Sequence, residues 1–267
     1  MKRLKKSINS IVYKMNKALN ELLFPYSDNG RQIKSLKNIH LNKRCFIIGN
    51  GPSLTTGDLS KLHNEITFAF NRIYYLFNQT DWRPTYYCAE DDKTITKSKE
   101  EINNLNIKNK FFPINFPRDN KIQFKNAKYY IFKFGDRNIE PKFSKDIVKG
   151  IYWGNTVAYT AIQLAVYMGI KEIYLLGVDH NFSKMINDKG EIIIDETAKD
   201  YFTNEYNNDK NDLYIPNVDI STRAFLAAKN YADKHNIKIY NATRGGKLEV
   251  FERVNFDNIE LGERLIG

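Results

Sequence analysis

A chain of 267 residues, 42% hydrophobic and 13% aromatic, is long and apolar enough for one large domain with appendages and a substantial core. No run approaches the roughly 18 apolar residues of a membrane span, and the basic start leads into an amphipathic pattern, so neither a bilayer-crossing segment nor a secretory signal is expected. The formal net charge of +10 calls for an anionic partner. No nucleic-acid motif accompanies it and most lysines are scattered, which leaves phosphorylated substrates and anionic membrane surfaces and sets nucleic acid aside.

In residues 1–25, Lys2, Arg3, Lys5, Lys6, Lys14 and Lys17 are opposed only by Glu21, while Ile8, Ile11, Val12, Met15, Leu19, Leu22 and Leu23 recur at helical spacing. This predicts a basic amphipathic helix, suited to peripheral membrane contact or to packing on its own domain or a second subunit of a homo-oligomer. Residues 26–43 are polar and turn-rich and read as a linker into a domain spanning 44–258. From Arg44 onward strands (44–48, 66–70, 85–89, 110–114, 129–132, 172–176, 238–240) alternate with helices (58–63, 156–168, 221–235). That pattern predicts an α/β, Rossmann-like, mostly parallel sheet with helices on both faces. Cys45 and Cys88 fall inside strands, without metal-ligand spacing, and read as buried thiols of a reducing, cytoplasmic setting. Residues 181–217 interrupt the alternation with a long, charged, Asn/Asp-rich insert that reads as an active-site lid or a disordered segment.

Polar residues collect at strand ends, where open sheets bind ligands. The first strand stops at Gly49-Asn50-Gly51-Pro52-Ser53, with Pro52 read as the first residue of a short helix. This is either a phosphate cradle or an ordinary tight turn. Asn71-Arg72 ends the second strand, as a base or ribose reader and a phosphate clamp or as simple caps. Glu90-Asp91-Asp92 ends the third, as Mg²⁺ ligands or a solvated acidic turn. Gly154-Asn155-Thr156 leads into a helix whose N-terminus can hold a ribose or phosphate, or is merely capped. Asp179-His180 follows the 172–176 strand, as hydroxyl-orienting acid and general base or as a structural pair. Arg244-Gly245-Gly246-Lys247 reads as a basic loop closing over an anion or as a hairpin turn.

The segments Ile47–Leu54, Asn71-Arg72, Gly154–Thr156, Lys171–Asp179 and Asn241–Gly246 resemble two related groups over about residues 44–256. One is the bacterial CMP-sialic-acid-dependent sialyltransferases, of variant GT-A, Rossmann-like fold. The other is the 6-hydroxymethylpterin diphosphokinase-like domain family of cell-surface polysaccharide clusters, to which the closing Asn241–Gly246 block is more similar. The first resemblance implies a nucleotide, plausibly CMP, against Asn50, Gly51, Ser53, Asn71, Asn155 and Thr156. It also implies lid tyrosines (Tyr201, Tyr206, Tyr214) on a departing phosphate. Asn217 stands where those enzymes carry a lid histidine, so either His180 or a carboxylate takes the general-base role or the donor chemistry differs. The second resemblance implies ATP with Mg²⁺ on Glu90, Asp91 or Asp92. The expected function is a cytoplasmic glycosyltransferase using a CMP-linked sugar donor and a glycan or lipid-linked acceptor at the inner face of the membrane. The alternatives are a Mg²⁺/ATP-dependent diphosphokinase or phosphotransferase, and a non-catalytic nucleotide-binding module.

Overall fold

A computed structural model describes residues 12, 15, 18–114, 122–135, 140–203, 205 and 213–262. Eight parallel strands form one sheet in the order β12-β11-β8-β1-β2-β3-β4-β5. They are β1 (Arg44–Ile48), β2 (Thr67–Phe70), β3 (Tyr86–Cys88), β4 (Lys110–Pro113), β5 (Ala127–Tyr130), β8 (Glu172–Leu176), β11 (Lys238–Asn241) and β12 (Glu252–Arg253). Two short parallel strands, β6 (Phe132–Lys133) and β7 (Ile151–Tyr152), pair beside it.

The central strands are apolar without alternation because both faces are covered. Cys45 and Ile47 of β1 pack with the helices α5 (Val157–Tyr167) and α6 (Val218–Lys234). Phe46 and Ile48 face the opposite way, into a second core with Leu59 of α2 (Thr56–Ser60), Ile95 of α3 (Asp92–Lys97) and Ile102 of α4 (Lys99–Asn104). On that face Phe46, Tyr174 and Tyr240 stack across β1, β8 and β11 with ring centroids 5.0 and 5.3 Å apart.

The chain builds β1 to β5 outward in one direction, then returns through α5 to place β8 on the other side of β1. The strand order therefore reverses between β1 and β8, and the crevice at their carboxyl ends is where a doubly wound sheet takes its ligand.

Two expectations need correction here. Residues 26–43 are not a linker: Ser27 caps α1 (Asp28–Lys34), and Ile33 and Leu36 are buried in the main core. Behind them the amides of Asn38, His40 and Asn42 donate to the carbonyls of Tyr167, Met168 and Gly169 at the end of α5. Nor is the insert at 181–217 structureless, because β9 (Lys184–Ile186) and β10 (Ile192–Ile194) form an antiparallel hairpin in which the three isoleucines of β10 are exposed.

The basic residues 2–17 and Ile8 and Ile11 lie outside the described residues. Of the amphipathic stripe, Val12, Met15, Leu19, Leu22 and Leu23 are exposed, and among the described residues Phe24 is the first side chain to enter the core. Among the described residues no helix is long and apolar enough to cross a membrane.

Candidate functional site

The loop after β1 is tied to the loop after β8 by backbone contact. Gly49 N donates to Leu176 O at 2.7 Å and Gly51 N to Gly177 O at 2.9 Å. A Cβ at Gly49 would sit 2.1 Å from Gly177 O, and one at Gly51 would sit 1.8 Å from Asp179 Oδ2, so both glycines serve close approach. Asp179 accepts the Ser53 hydroxyl at 2.7 Å. Burial raises its carboxyl while the Ser53 hydrogen bonds pull the other way. The pair clamps the turn, and both side chains are engaged in doing so. Pro52 does not begin a helix. A capping box between Thr55 and Asp58 starts α2 only at Thr56, leaving Pro52 in an exposed turn.

Above this turn opens a cavity of about 560 Å³, framed by the β1, β2, β3 and β8 ends, the start of α5 and the insert. It brings together Gly49, Asn50, Gly51, Asn71, Glu90, Asp91, Asp92, Asn155, Thr156, Asp179, His180, Tyr201, Tyr214 and Asn217 from the sequence expectation. Arg72, Ser53, Pro52 and Gly154 do not line it; Tyr206 lies outside the described residues. Gly154 is needed for packing, since a Cβ there would meet Tyr159 at 2.4 Å and Ala224 at 2.7 Å. Asn71, Asn155 and His180 all hold left-handed backbone (φ 52°, 57° and 54°), and all three line the cavity. Such conformations gather where surrounding structure holds a site in place.

His180 Nε2 lies 2.8 Å from Thr222 Oγ1, and that hydroxyl donates its proton to Val218 O at 2.8 Å. The ring therefore donates from Nε2 and keeps its lone pair on Nδ1. Burial brings the imidazole down to about 4, against the pull of Asp219, so it is neutral at physiological pH. Three amide oxygens around the cavity, on Asn50, Asn71 and Asn181, are buried without a donor. Unmet buried acceptors of this kind mark places for water or ligand.

The three consecutive carboxylates diverge. Glu90 is buried with Oε2 accepting the Thr160 hydroxyl at 2.5 Å, and burial, helped by the Asp91 charge, raises it to about 7. Asp91 caps α3, accepting Thr94 N at 2.8 Å. Asp92 faces Tyr214, whose ring also carries Lys93 Nζ at 4.2 Å from its centroid. Among the described residues no three His, Cys, Asp or Glu side chains gather as a metal-binding group, and the three consecutive carboxylates turn to different partners.

The basic loop after β11 does not close over an anion. Arg244 is bonded to Asp58 at 2.8 Å and to Asp257 at 3.1 Å, and Lys247 reaches Asp195 at 3.4 Å. Neither side chain lines the cavity. What the loop does is support the β8 end. Lys247 N donates to Asp179 O at 2.7 Å, with Gly246 in left-handed conformation against that backbone.

Asn217 is the N-cap of α6, accepting Ile220 N at 2.9 Å, and its carbonyl takes Asn155 Nδ2 at 3.0 Å. Phe202 N donates to Asn50 O at 3.1 Å, so the insert is tied to both the β1 loop and the α5 start. Sequence reasoning missed the aromatic wall of the cavity, Phe132, Phe134 and Trp153, and the carboxylate Asp200. The aromatic spacing in 129–134 was its only signal. The lining holds five carboxylates (Glu90, Asp91, Asp92, Asp179, Asp200) and, among the described residues, no lysine or arginine.

No curated protein matches the chain. Among solved structures it is similar to the MAf glycosyltransferase of Magnetospirillum magneticum AMB-1 (TM-score 0.52, 16% identity), over 83% of this chain and 35% of that one. It thus spans about a third of that protein's length, and the likeness is one of fold. It is also similar to the Campylobacter jejuni sialyltransferase CstII in complex with cytidine-5'-monophosphate (TM-score 0.48, 16% identity, 84% and 90% covered). The α-2,3-sialyltransferase Cst-I of the same organism follows (TM-score 0.41, 15% identity, 83% of each chain covered). The family signature of the 6-hydroxymethylpterin diphosphokinase MptE-like proteins matches residues 20–185, which hold every strand from β1 to β8 and the cavity floor; the chain belongs to that family.

Proposed function

We propose that the cavity binds a nucleotide and that the chain is a glycosyltransferase using a nucleotide-activated sugar, with a CMP-linked donor favoured, in cell-surface polysaccharide assembly. The observation that carries this reading is the opposition, across the β1/β8 switch point, of the Gly49–Gly51 turn and the start of α5. Thr156, the N-cap of that 11-residue helix, makes no side-chain cap; Tyr159 N donates to Thr156 O, which leaves the amides of Val157 and Ala158, both in the cavity lining, for a ligand. A phosphate suits them by hydrogen bonding and by the helix dipole.

Asn50, Asn71 and Asn181 would meet base and ribose donors with their unpaired oxygens. His180 Nδ1 would receive the proton of an acceptor hydroxyl, Asp179 would hold the turn in place, and Tyr201 and Tyr214 would face the departing phosphate. The insert would exclude water. The exposed stripe Val12, Met15, Leu19, Leu22 and Leu23, on a segment rich in lysine, fits contact with an anionic inner membrane face and hence a lipid-linked acceptor.

A second reading is favoured by the charge of the lining. A triphosphate entering five carboxylates with no lysine or arginine beside them among the described residues would bring its own counter-ion, as Mg²⁺-bound ATP does in a diphosphokinase.

A thermal-shift series with CMP, CDP, UDP, GDP, ADP and ATP, each with and without Mg²⁺, tests both. Ligand at a hundredfold excess over its Kd adds about 2.7 kcal/mol of stability. A metal-independent shift with CMP supports the glycosyltransferase, a shift with ATP only when Mg²⁺ is present supports the diphosphokinase, and no shift with any nucleotide refutes both.

A further inference from the structure

Glu90 is the one acidic side chain of the cavity that is buried yet neither caps a helix nor clamps a loop. Its Oε2 accepts from Thr160, and among the described residues its Oε1 has no hydrogen-bond partner. Thr160 on α5 and Asp91, Cys88 and Tyr130 on β3 and β5 are the groups facing it, with no cation among them. A carboxyl so placed is held more cheaply as the neutral acid than as the anion. The neutral acid presents one O–H donor and one carbonyl acceptor side by side.

An aromatic ladder stands beside it. Tyr130, next to Glu90, meets Phe132 edge-to-face at 6.0 Å, and Phe132 meets Phe134 at 5.0 Å, where the ladder reaches the cavity mouth. Asn71, whose Oδ1 lacks a donor, is joined to the same strand end through its amide, which donates to Cys88 O at 3.1 Å. A donor–acceptor pair at the foot of an aromatic wall is complementary to a planar heterocycle entering edge first.

We propose that Glu90 reads the aminopyrimidine edge of the bound nucleobase, the ring nitrogen and adjacent exocyclic amine that cytosine and adenine share, with the ring lying against Phe132 and Phe134. This rests on the nucleotide reading above and narrows it. The ring nitrogen accepts the carboxyl proton, the amine donates to the carbonyl oxygen, and its second hydrogen is offered Asn71 Oδ1. Uracil and guanine present an N–H where cytosine and adenine present a bare nitrogen, and so confront the carboxyl proton with another donor.

The test uses the full chain and four probes with the same phosphate: CMP, AMP, UMP and GMP, titrated calorimetrically into wild type, Glu90→Gln and Glu90→Leu. Glutamine keeps one donor and one acceptor and is the isostere of the neutral acid; leucine keeps the volume alone. The expected result is a preference of about tenfold to a hundredfold for CMP or AMP over UMP and GMP, the span of a good bidentate base contact. That preference is retained by Glu90→Gln and abolished by Glu90→Leu. CMP against AMP then separates the two sources of that edge. Binding of UMP or GMP as tightly as CMP and AMP, or a preference that survives in Glu90→Leu, overturns the inference while leaving the nucleotide site standing. Failure of all four to bind wild type overturns the nucleotide reading and this one with it. Melting curves of the variants check that they fold, and Glu90→Ala, with the same expected loss of preference, carries the decision if Glu90→Leu does not.

Discussion

Replacing Gly49 by alanine tests how the two halves of the site are joined. The new Cβ would lie 2.1 Å from Gly177 O, 2.6 Å from its carbonyl carbon and 2.9 Å from Val178 N, all of them backbone atoms that cannot swing away. Relief requires the β1 and β8 ends to separate, stretching the 2.7 Å bond from Gly49 N to Leu176 O and the 2.9 Å bond from Gly51 N to Gly177 O. Overpacking of this kind costs about 1–3 kcal/mol, and each weakened hydrogen bond about 1 kcal/mol more. Together these reach about 4 kcal/mol, which lowers the melting temperature of a domain of this size by about 8–16 °C. Differential scanning calorimetry reads the change directly. The internal control is Gly57→Ala within α2, where the nearest atom to the new Cβ is Thr55 Oγ1 at 3.6 Å. That substitution is expected to stabilise by about 0.4–1 kcal/mol through the unfolded chain. A loss below about 3 °C in Gly49→Ala would refute the interlock, because the strand ends would then have room to spare.

Three further outcomes are expected. Lys110 is fully buried with Nζ capping the carbonyls of Ile102 (2.9 Å) and Asn103 (3.3 Å) at the end of α4, so Lys110→Met should cost about 1–3 kcal/mol by urea denaturation. Glu90, at about 7 when folded and 4.5 as a free side chain, holds its proton more tightly in the native state. Its contribution is therefore greatest below pH 4.5 and is lost as pH rises to 7, by about 3 kcal/mol in all, so Glu90→Gln should match wild type near pH 4.5 and exceed it at pH 8 in paired melts. Asn217→Ala removes the α6 cap and the 3.3 Å bond from Nδ2 to Asn187 O, and should cost about 1 kcal/mol and speed proteolytic cleavage within 181–217.

The strands that were legible in the sequence are those that physics constrains locally. Arg44–Ile48 and Glu172–Leu176 are apolar runs buried on both faces, bounded by glycine, and they fold where the pattern puts them. α1 was missed because Ile33 is its one buried apolar side chain in an otherwise polar stretch, while Leu36 and the backbone bonds of Asn38, His40 and Asn42 to the end of α5 lie beyond its last residue. The β9–β10 hairpin was missed because the isoleucines of β10 are exposed and β9 is only half-buried, so the segment carries little buried face for periodicity to reveal.

At the site, residue types at strand ends were informative and charge was not. Asn71, Asn155 and His180 reach the cavity on left-handed backbone, as polar residues placed just past strands suggest. Arg244 looked like an anion clamp from its neighbours Gly245, Gly246 and Lys247, yet its partner Asp58 is 186 positions away in sequence, beyond any local pattern. Glu90, Asp91 and Asp92 looked like one cluster because they are consecutive. Passing from a strand end into a helix cap sends them to Thr160, Thr94 and Tyr214 in turn.

The two cysteines give the protein a built-in reporter of its own opening. Cys45 on β1 and Cys88 on β3 flank β2, both have no exposed surface, and burial drives both thiols far from ionisation. A thiol-directed chromogenic reagent can reach them only when the sheet parts, so its rate in native buffer measures how often the centre of the molecule comes open. The same measurement repeated with a bound nucleotide would show how far occupancy of the crevice holds β1, β2 and β3 together, with no label added to the chain.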